Sequence, residues 1–470
     1  MGTAMNAGFS KQNLRELIAF LVERPVDIAS LAAFRFLFGL LMAAAMVRFI
    51  AKGWVGQLYV EPAFHFTYPG FEWVRPWPDA LMHAHFLVLA LVAVGVALGF
   101  FYRLCIILFF LGFTYVELIE QTAYLNHYYL ISLLSGLMIF LPANRAWSID
   151  AWRKPEIRVD AVPAWALNIL RFQVGVVYVF AGLAKLNADW LFQAQPLRIW
   201  LAARSDLPIF GPWLDGPGMA YAASWLGAIF DSGIVFFLLY RPTRRLAYAL
   251  VVLFHVATWL LFNLGMFPWI MIVAATLLFP PDWPRHWLSR FISFISNRVK
   301  FVPLARSAIA VLAIERSPRV LTCRATCLLL APLGIYAAAQ LALPLRPYFA
   351  AEPSAWTCSG FNCAWQVMIV EKTGYAEFLA FDPATGRRWE LSLKGYLTPR
   401  QEVMMAQDPY LIQAMARRLA ADFHDPPLTH VQVRVNAFAT LNGRPSQRLI
   451  NPDVDLAAMP PPGWILPWTR

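Results

Sequence analysis

Long apolar runs dominate this chain, and nothing else in it narrows the possible folds so far. A helix of about 17–25 mostly apolar residues spans a hydrocarbon layer roughly 30 Å thick. Nine such runs lie near residues 29–50, 82–102, 104–120, 127–143, 164–185, 219–240, 246–262, 264–281 and 321–343. The composition agrees: 59% of residues are hydrophobic and 14% charged, whereas soluble domains carry about a quarter charged. A polytopic α-helical membrane protein of about nine transmembrane helices is implied. The third and fourth runs are short and polar at their edges. Ahead of the first, LRELIAFLVERPVDI has apolar residues at helical spacing and predicts an amphipathic helix on the membrane surface. Met1 to Arg24 is polar or amphipathic and does not read as a signal peptide.

Nine crossings place the termini on opposite sides, and the charges give the direction. With the N-terminus cytoplasmic, the inner segments hold Lys11, Arg15, Arg24, Arg103, Arg145, Arg153, Lys154, Arg158, Arg241, Arg244 and Arg245, and the segment 282–319 adds seven more basic residues. The outer loops hold only Lys52, Arg75, Arg198 and Arg204. This is the positive-inside distribution, and it accounts for the net charge of +11 without a nucleic-acid partner. From about Tyr348 the text changes to short runs of strand character, WQVMIV, AEFLAF, RRWELSL and HVQVRVNAFAT, separated by turns such as DPATG. Between them TPRQEVMMAQDPYLIQAMARRLAADF reads as helix, opened by Thr398 and Pro399. The organisation is an amphipathic segment at 1–28, a membrane domain at 29–343 and an outer β-rich α+β domain at 344–470. Five cysteines are too few for a disulfide framework. Cys358 and Cys363, in WTCSGFNCAW, lie on the oxidising side and either pair as a disulfide or remain two free thiols.

Several polar residues interrupt the spans or end them. Asn126 and His127 open the fourth; Lys185, Asn187 and Asp189 close the fifth; Asp231 lies in the sixth, His255 in the seventh and Asn263 at the turn into the eighth. Ionisable groups inside a bilayer are costly and point to function. Each also has a plainer reading. His255 could be a hydrogen-bonded packing residue, Asp231 the partner of a nearby cation or a helix cap, and Lys185 a side chain that reaches outward to water. The one close histidine pair, in MHAHF, sits at the start of a span and does not imply a metal. The absence of HExxH, of a Gly-rich phosphate loop, of a strand–GxGxxG–helix unit and of a serine elbow argues against serine hydrolysis, phosphoryl transfer and nicotinamide redox chemistry.

The stretch YVFAGLAKLNADWLFQAQPLRIWL closely resembles a segment of the vitamin K-dependent gamma-carboxylases, AG-x-K-K-L-x-ADW. The resemblance continues through NHYYL and FHVATWLLFNLGMFPWIM. Beyond the membrane it takes in AWQVMIVEKTGYAEFLAFDPATGRRW, the YLTPRQ helix and QRLINPDVDL. It covers roughly residue 29 to the C-terminus. YPGFEWVRPWP is similar to the broader HTTM group of bacterial relatives.

The resemblance implies a reduced vitamin K hydroquinone, of menaquinol type, as cofactor, with O2 and CO2 as co-substrates and no metal. The hydroquinone would be deprotonated and oxygenated to its epoxide, and the strong base formed on the way would take a γ-proton from a peptidyl glutamate that CO2 then traps. Lys185 matches the lysine assigned to deprotonating the hydroquinone; a lysine enclosed by apolar side chains loses the hydration that favours its charge, and the neutral amine is a general base. Where the family often has two adjacent lysines, this chain has Ala184 and Lys185. His127 matches a residue stabilising the carboxylation intermediate, and Asn126 an amide that holds a cofactor oxygen. His255 and Asn263 lie in matching stretches, and Trp365 and Met368 where the outer domain approaches the cofactor. Lys372 stands at an arginine-like position that would meet a substrate carboxylate. The partners implied are the bilayer, a quinone and an exported glutamate-containing protein, in a bacterial inner membrane with the C-terminal domain periplasmic. Two other readings remain at this point: a quinol epoxidase without glutamate carboxylation, and a membrane transporter or scaffold without enzymatic activity.

Overall fold

The computed structural model describes residues 11–208, 210–262, 264–298, 323–422 and 431–460. Each of the nine apolar runs forms a helix: α1 (Ala29–Ala51), α2 (Asp79–Leu98), α3 (Tyr102–Ile119), α4 (Asn126–Phe140), α5 (Trp165–Lys185), α6 (Pro217–Leu239), α7 (Arg244–Phe262), α8 (Phe267–Ala275) and α9 (Cys323–Ala342). Among the described residues seven helices are long and apolar enough to cross a membrane, the last of them counted over Leu328–Phe349. The runs forming α4 and α8 fall short of that length, and prolines explain it. Pro142 follows α4, Pro268 lies in the first turn of α8 and Pro280 follows its last turn; none of these can donate a helical hydrogen bond. Before α1, Lys11–Ile18 is the expected amphipathic helix; beside it Leu17, Phe20 and Leu21 are exposed.

Apolar side chains of α1 to α8 form one continuous core, with Phe34, Phe38, Phe86, Phe109 and Tyr178 among its fully buried members. Burial alone does not hold helices together where lipid is equally apolar, so close backbone contact matters more. At the α5–α6 crossing a Cβ on Gly182 would lie 2.6 Å from the backbone nitrogen of Ser232. Only glycine permits that approach. The N-terminal ends of α1 and α5 are tied by a short antiparallel ribbon, β1 (Pro25–Asp27) against β2 (Ala161–Pro163). Arg285 bridges Asp27 at 2.8 Å and Asp160 at 3.2 Å beside it.

The outer domain contains an antiparallel four-stranded sheet in the order β4-β3-β5-β6, made of β3 (Lys372–Phe381), β4 (Arg388–Leu391), β5 (Gln432–Leu441) and β6 (Gln447–Arg448). Strands β3 and β5 pair over their whole length, from Lys372 opposite Leu441 to Phe381 opposite Gln432. Alternate residues of β5 are buried, as its sequence alternation requires. Two helices complete the domain's core, α10 (Pro399–Met405) and α11 (Pro409–Asp422). The sequence predicts one continuous helix here; Pro409 starts a second instead, with the Asp408 carboxylate accepting from the Tyr410 N–H. Thr398 and Gln401 form the capping box that opens α10. WQVMIV is also corrected: residues 365–370 form no strand but an irregular loop that runs in among the membrane helices.

Two polar clasps seat the outer domain. Gln401 donates to the Glu120 carboxylate at 2.7 Å and to the Phe64 carbonyl at 2.8 Å. Asp189 receives both terminal nitrogens of Arg444, at 2.5 and 2.7 Å, and the Asn442 amide at 2.9 Å. The hydrogen bonds from Arg444 hold the Asp189 carboxyl below the usual carboxylate range. A lowered folded value stabilises the charged form, so this clasp is at full strength above the unfolded value of about 4 and weakens as pH falls further. Because the pair is partly exposed, its contribution is on the order of 1 kcal/mol. Hydrogen exchange of the β5–β6 turn in detergent should rise below about pH 4 in the native protein, and Arg444→Ala should show that faster exchange already at pH 7.

Replacing Gly182 by leucine should force α5 and α6 apart. The expected loss is a few kcal/mol of the kind seen for overpacked cores, read as a lower melting temperature in detergent, while Gly175→Leu, which meets only a Val235 methyl at 3.9 Å, should be far milder.

Candidate active site

The segment FAGLAKLNADW assigns almost every residue a structural task. Lys185 is the last residue of α5, and Asn187 caps the short helix Ala188–Gln193 by accepting from the Trp190 N–H at 3.0 Å. Asp189 takes the clasp from Arg444, and Trp190 turns back beneath Lys185, its ring centroid 5.1 Å from the ammonium nitrogen. The Trp190 indole is fixed in turn by the Ser224 carbonyl at 2.7 Å.

Lys185 does not reach outward to water. It is 4% exposed, and its Nζ lies 2.8 Å from Oδ2 of Asp231, itself 7% exposed. Nζ also donates to the carbonyls of Ala181 and Val367, each at 3.3 Å. The expectation of an amine surrounded only by apolar groups is therefore corrected: the lysine is buried, but with a carboxylate beside it. The Gly182–Ser232 contact brings the two together, since Lys185 and Asp231 flank that crossing.

The pair lines a cavity of about 230 Å³ whose other walls are mostly apolar, including Leu197, Phe254, Phe267 and Met271. One further polar couple faces it. The Tyr178 hydroxyl and His255 Nε2 are hydrogen-bonded at 2.9 Å. Nδ1 of His255 is buried and has no hydrogen-bond partner among the described residues. A second chamber, of about 750 Å³, is lined by Asn126, His127, Arg48, Trp54, Gln57 and Arg400, among others. His127 is buried against the rings of Tyr128 and Phe267. The Asn126 side-chain oxygen accepts from the Tyr124 hydroxyl at 3.0 Å, which leaves its amide nitrogen as the group available to a ligand.

The two cavities share a partition made by Leu264, Phe267, Val367 and Met368. Half of it comes from the outer domain's loop. In that loop Cys363, Trp365 and Met368 hold φ of 62°, 56° and 58°, left-handed values that are costly for residues with a Cβ. The loop keeps this shape because Trp365 is driven fully into the helix core against Tyr129, ring centroids 5.2 Å apart. Trp365 is thus an anchor and lines neither cavity, whereas Met368 lines both.

Of the residues singled out from sequence, Lys185 and His255 meet at the smaller cavity, Asn126 and His127 at the larger, and Met368 between them. Asn263 lies outside the described residues. Lys372 is corrected: it is buried in the outer domain, its Nζ held by the Trp356 carbonyl and 3.8 Å from Cys358 Sγ, and it lines neither cavity. Cys358 and Cys363 are free thiols rather than a disulfide. Burial pushes the Cys358 thiol up to about 12, and it donates to the Gln407 carbonyl, while the Cys363 backbone N–H donates to Tyr124. Sequence reasoning missed Arg48, Arg400 and Tyr178. Arg48 carried a signal, an arginine within the first apolar run, which the rule for intramembrane charge should have flagged; Arg400 carried none.

The fold and site define a multi-pass membrane protein whose outer α+β domain completes a polar site within the helices. Residues 23–283 match the HTTM domain, and residues 325–470 match the vitamin K-dependent gamma-carboxylase, lumenal domain. The chain belongs to the vitamin K-dependent gamma-carboxylase family, and with that goes a carboxylase-like function related to vitamin K. No solved structure matches it.

Removing one member of a buried ion pair leaves an uncompensated charge, at a cost of about 3–5 kcal/mol, whereas replacing both by apolar residues of similar size is near neutral. Lys185→Met and Asp231→Leu should each lower the melting temperature of the detergent-purified protein, and the double variant should recover most of the loss.

Proposed function

We propose that the protein is a vitamin K-dependent gamma-carboxylase, coupling O2-dependent epoxidation of a reduced vitamin K hydroquinone to CO2 addition at peptidyl glutamate. The observation that carries this reading is the Lys185–Asp231 pair at 2.8 Å, opening onto an apolar cavity beside a polar chamber. The cavity residues fit a hydroquinone. Flat and soft groups, Trp190, Phe254, Phe267 and Met368, suit its rings, and the unpartnered Nδ1 of His255 suits a ring oxygen. When bound, the hydroquinone and O2 supply a base stronger than any side chain.

The protein's own part is proton placement and dryness. In a cavity with mostly apolar walls a buried lysine–carboxylate pair has little solvation to keep its charges apart. With one proton passed to Oδ2 of Asp231, Nζ of Lys185 is an amine that can accept the next from a phenolic hydroxyl. The Ala181 and Val367 carbonyls and the Trp190 face keep Nζ aimed and stabilise it once charged. Asn126 can donate to a developing oxyanion without changing charge, and His127 lies in the same chamber. The positive-inside distribution supports a cytoplasmic N-terminus and an outer domain that faces the periplasm of a bacterial inner membrane, where an exported glutamate-containing protein is the partner. The two cavities, one apolar and one polar, favour coupled chemistry over quinol oxygenation alone, which needs only the first.

The test is hydroquinone epoxidation by purified protein under air, with product carboxylation followed by CO2 incorporation. Wild type should form epoxide; Lys185→Ala should lose at least 100-fold, the scale of a general base. His127→Ala should lose carboxylation more than epoxidation. If wild type forms no epoxide, or the Lys185→Ala protein forms it at the native rate, the proposal fails.

A further inference from the structure

The larger chamber carries charge that the quinol half of this chemistry does not use. Arg48, from α1, and Arg400, from α10, both line it, and among the described residues its wall contains no aspartate or glutamate. Neither arginine forms an ion pair among the described residues. Arg48 lies over the Trp54 ring at 4.8 Å, a contact that orients the guanidinium without neutralising it. Arg400 is on the exposed face of the outer domain, so the chamber's positive field extends toward the side from which an exported polypeptide arrives. Two guanidinium groups around one concavity, neither ion-paired among the described residues, make a site suited to an anion. The planar fork of each matches a carboxylate, and a product with two carboxylates would engage both.

The position of this field sorts the reactants. On the far side of the Val367–Met368 partition the Lys185 cavity is lined by Leu226, which is 66% exposed on the helix surface and so faces lipid. An apolar cofactor has its route from the bilayer, and a charged side chain has its route from the outer surface. Both come within reach of the same partition.

We infer that Arg48 and Arg400 are the anchors for the acceptor's side-chain carboxylate, and that they, with Lys372 turned away into the outer domain, set the preference for glutamate over its neutral amide. This inference rests on the carboxylase reading and names the acceptor subsite within it. The two residues are specificity determinants and take no part in quinol deprotonation.

Binding can be measured without turnover. The protein is placed in nanodiscs of neutral phosphatidylcholine, without quinone, and titrated with the pentapeptide Ala-Ala-Glu-Ala-Ala and with its Gln counterpart by isothermal calorimetry. Wild type should bind the glutamyl peptide and not the glutaminyl one. Arg48→Gln and Arg400→Gln should each weaken glutamyl binding by about tenfold or more, and Arg48→Lys, which keeps the charge and loses the fork, by less. Arg400 is exposed, so its variant tests the site even if Arg48→Gln fails to fold. Equal binding of both peptides, or glutamyl binding untouched in the folded arginine variants, would overturn the inference. Inorganic phosphate that binds to the arginines but does not compete with the glutamyl peptide would overturn it too, marking a phosphate site. The two levels fail separately: Lys185-dependent epoxidation with no Glu-over-Gln preference sinks only the arginine subsite. Preference without epoxidation sinks only the proposed function.

Discussion

The meeting of one ammonium and one carboxylate inside the helix bundle governs how the rest of this molecule must be built. Lys185 and Asp231 lie 2.8 Å apart, each almost wholly out of solvent. Charges so placed persist only if their remaining hydrogen bonds are met and the helices carrying them cannot drift. The first demand is met by the Ala181 and Val367 carbonyls and the face of Trp190. The second is met by Gly182, whose missing side chain lets α5 lie directly on Ser232 of α6. Neither helix could supply the site alone, and the Val367 carbonyl shows that the membrane domain could not either.

The partition between the cavities has the same logic. A mostly apolar cavity and a more polar chamber adjoin here yet stay chemically distinct. Val367 and Met368 do this from a loop that is held left-handed at three side-chain-bearing residues. Such backbone persists because Trp365 is committed to the core, and the strain is thereby offset by burial.

Much of this was legible in the residue order, for physical reasons that differ from element to element. Apolar runs of bilayer length fixed the helices, because length and hydropathy are local properties. The alternation in HVQVRVNAFAT marked β5, and Thr398-Pro399 marked the start of α10, for the same reason. KLNADW drew attention because a lysine closing an apolar run has to be explained. Asp231, 46 positions away, read as the partner of some nearby cation; that the cation is Lys185 was not legible, since helix contact at a glycine leaves no local trace. WQVMIV misled because a short apolar run rich in Val, Ile and Trp has strand composition, whereas here it is a loop packed against the membrane helices. Lys372 was basic in a plausible place, but its direction is set by the Trp356 carbonyl. Arg400 is an ordinary surface arginine until the docking of α10 against Glu120 turns it over the chamber.

The origin of the partition has a consequence for biogenesis. Its sealing residues, Val367 and Met368, belong to the portion of the polypeptide synthesised after all nine hydrophobic helices. A nascent chain can insert every one of those helices and still have its reactive compartments open to each other. Closure waits until the carboxyl-terminal part has been translocated and Trp365 has found its slot. The two cavities are therefore complete only once the last part of the chain has been made and docked.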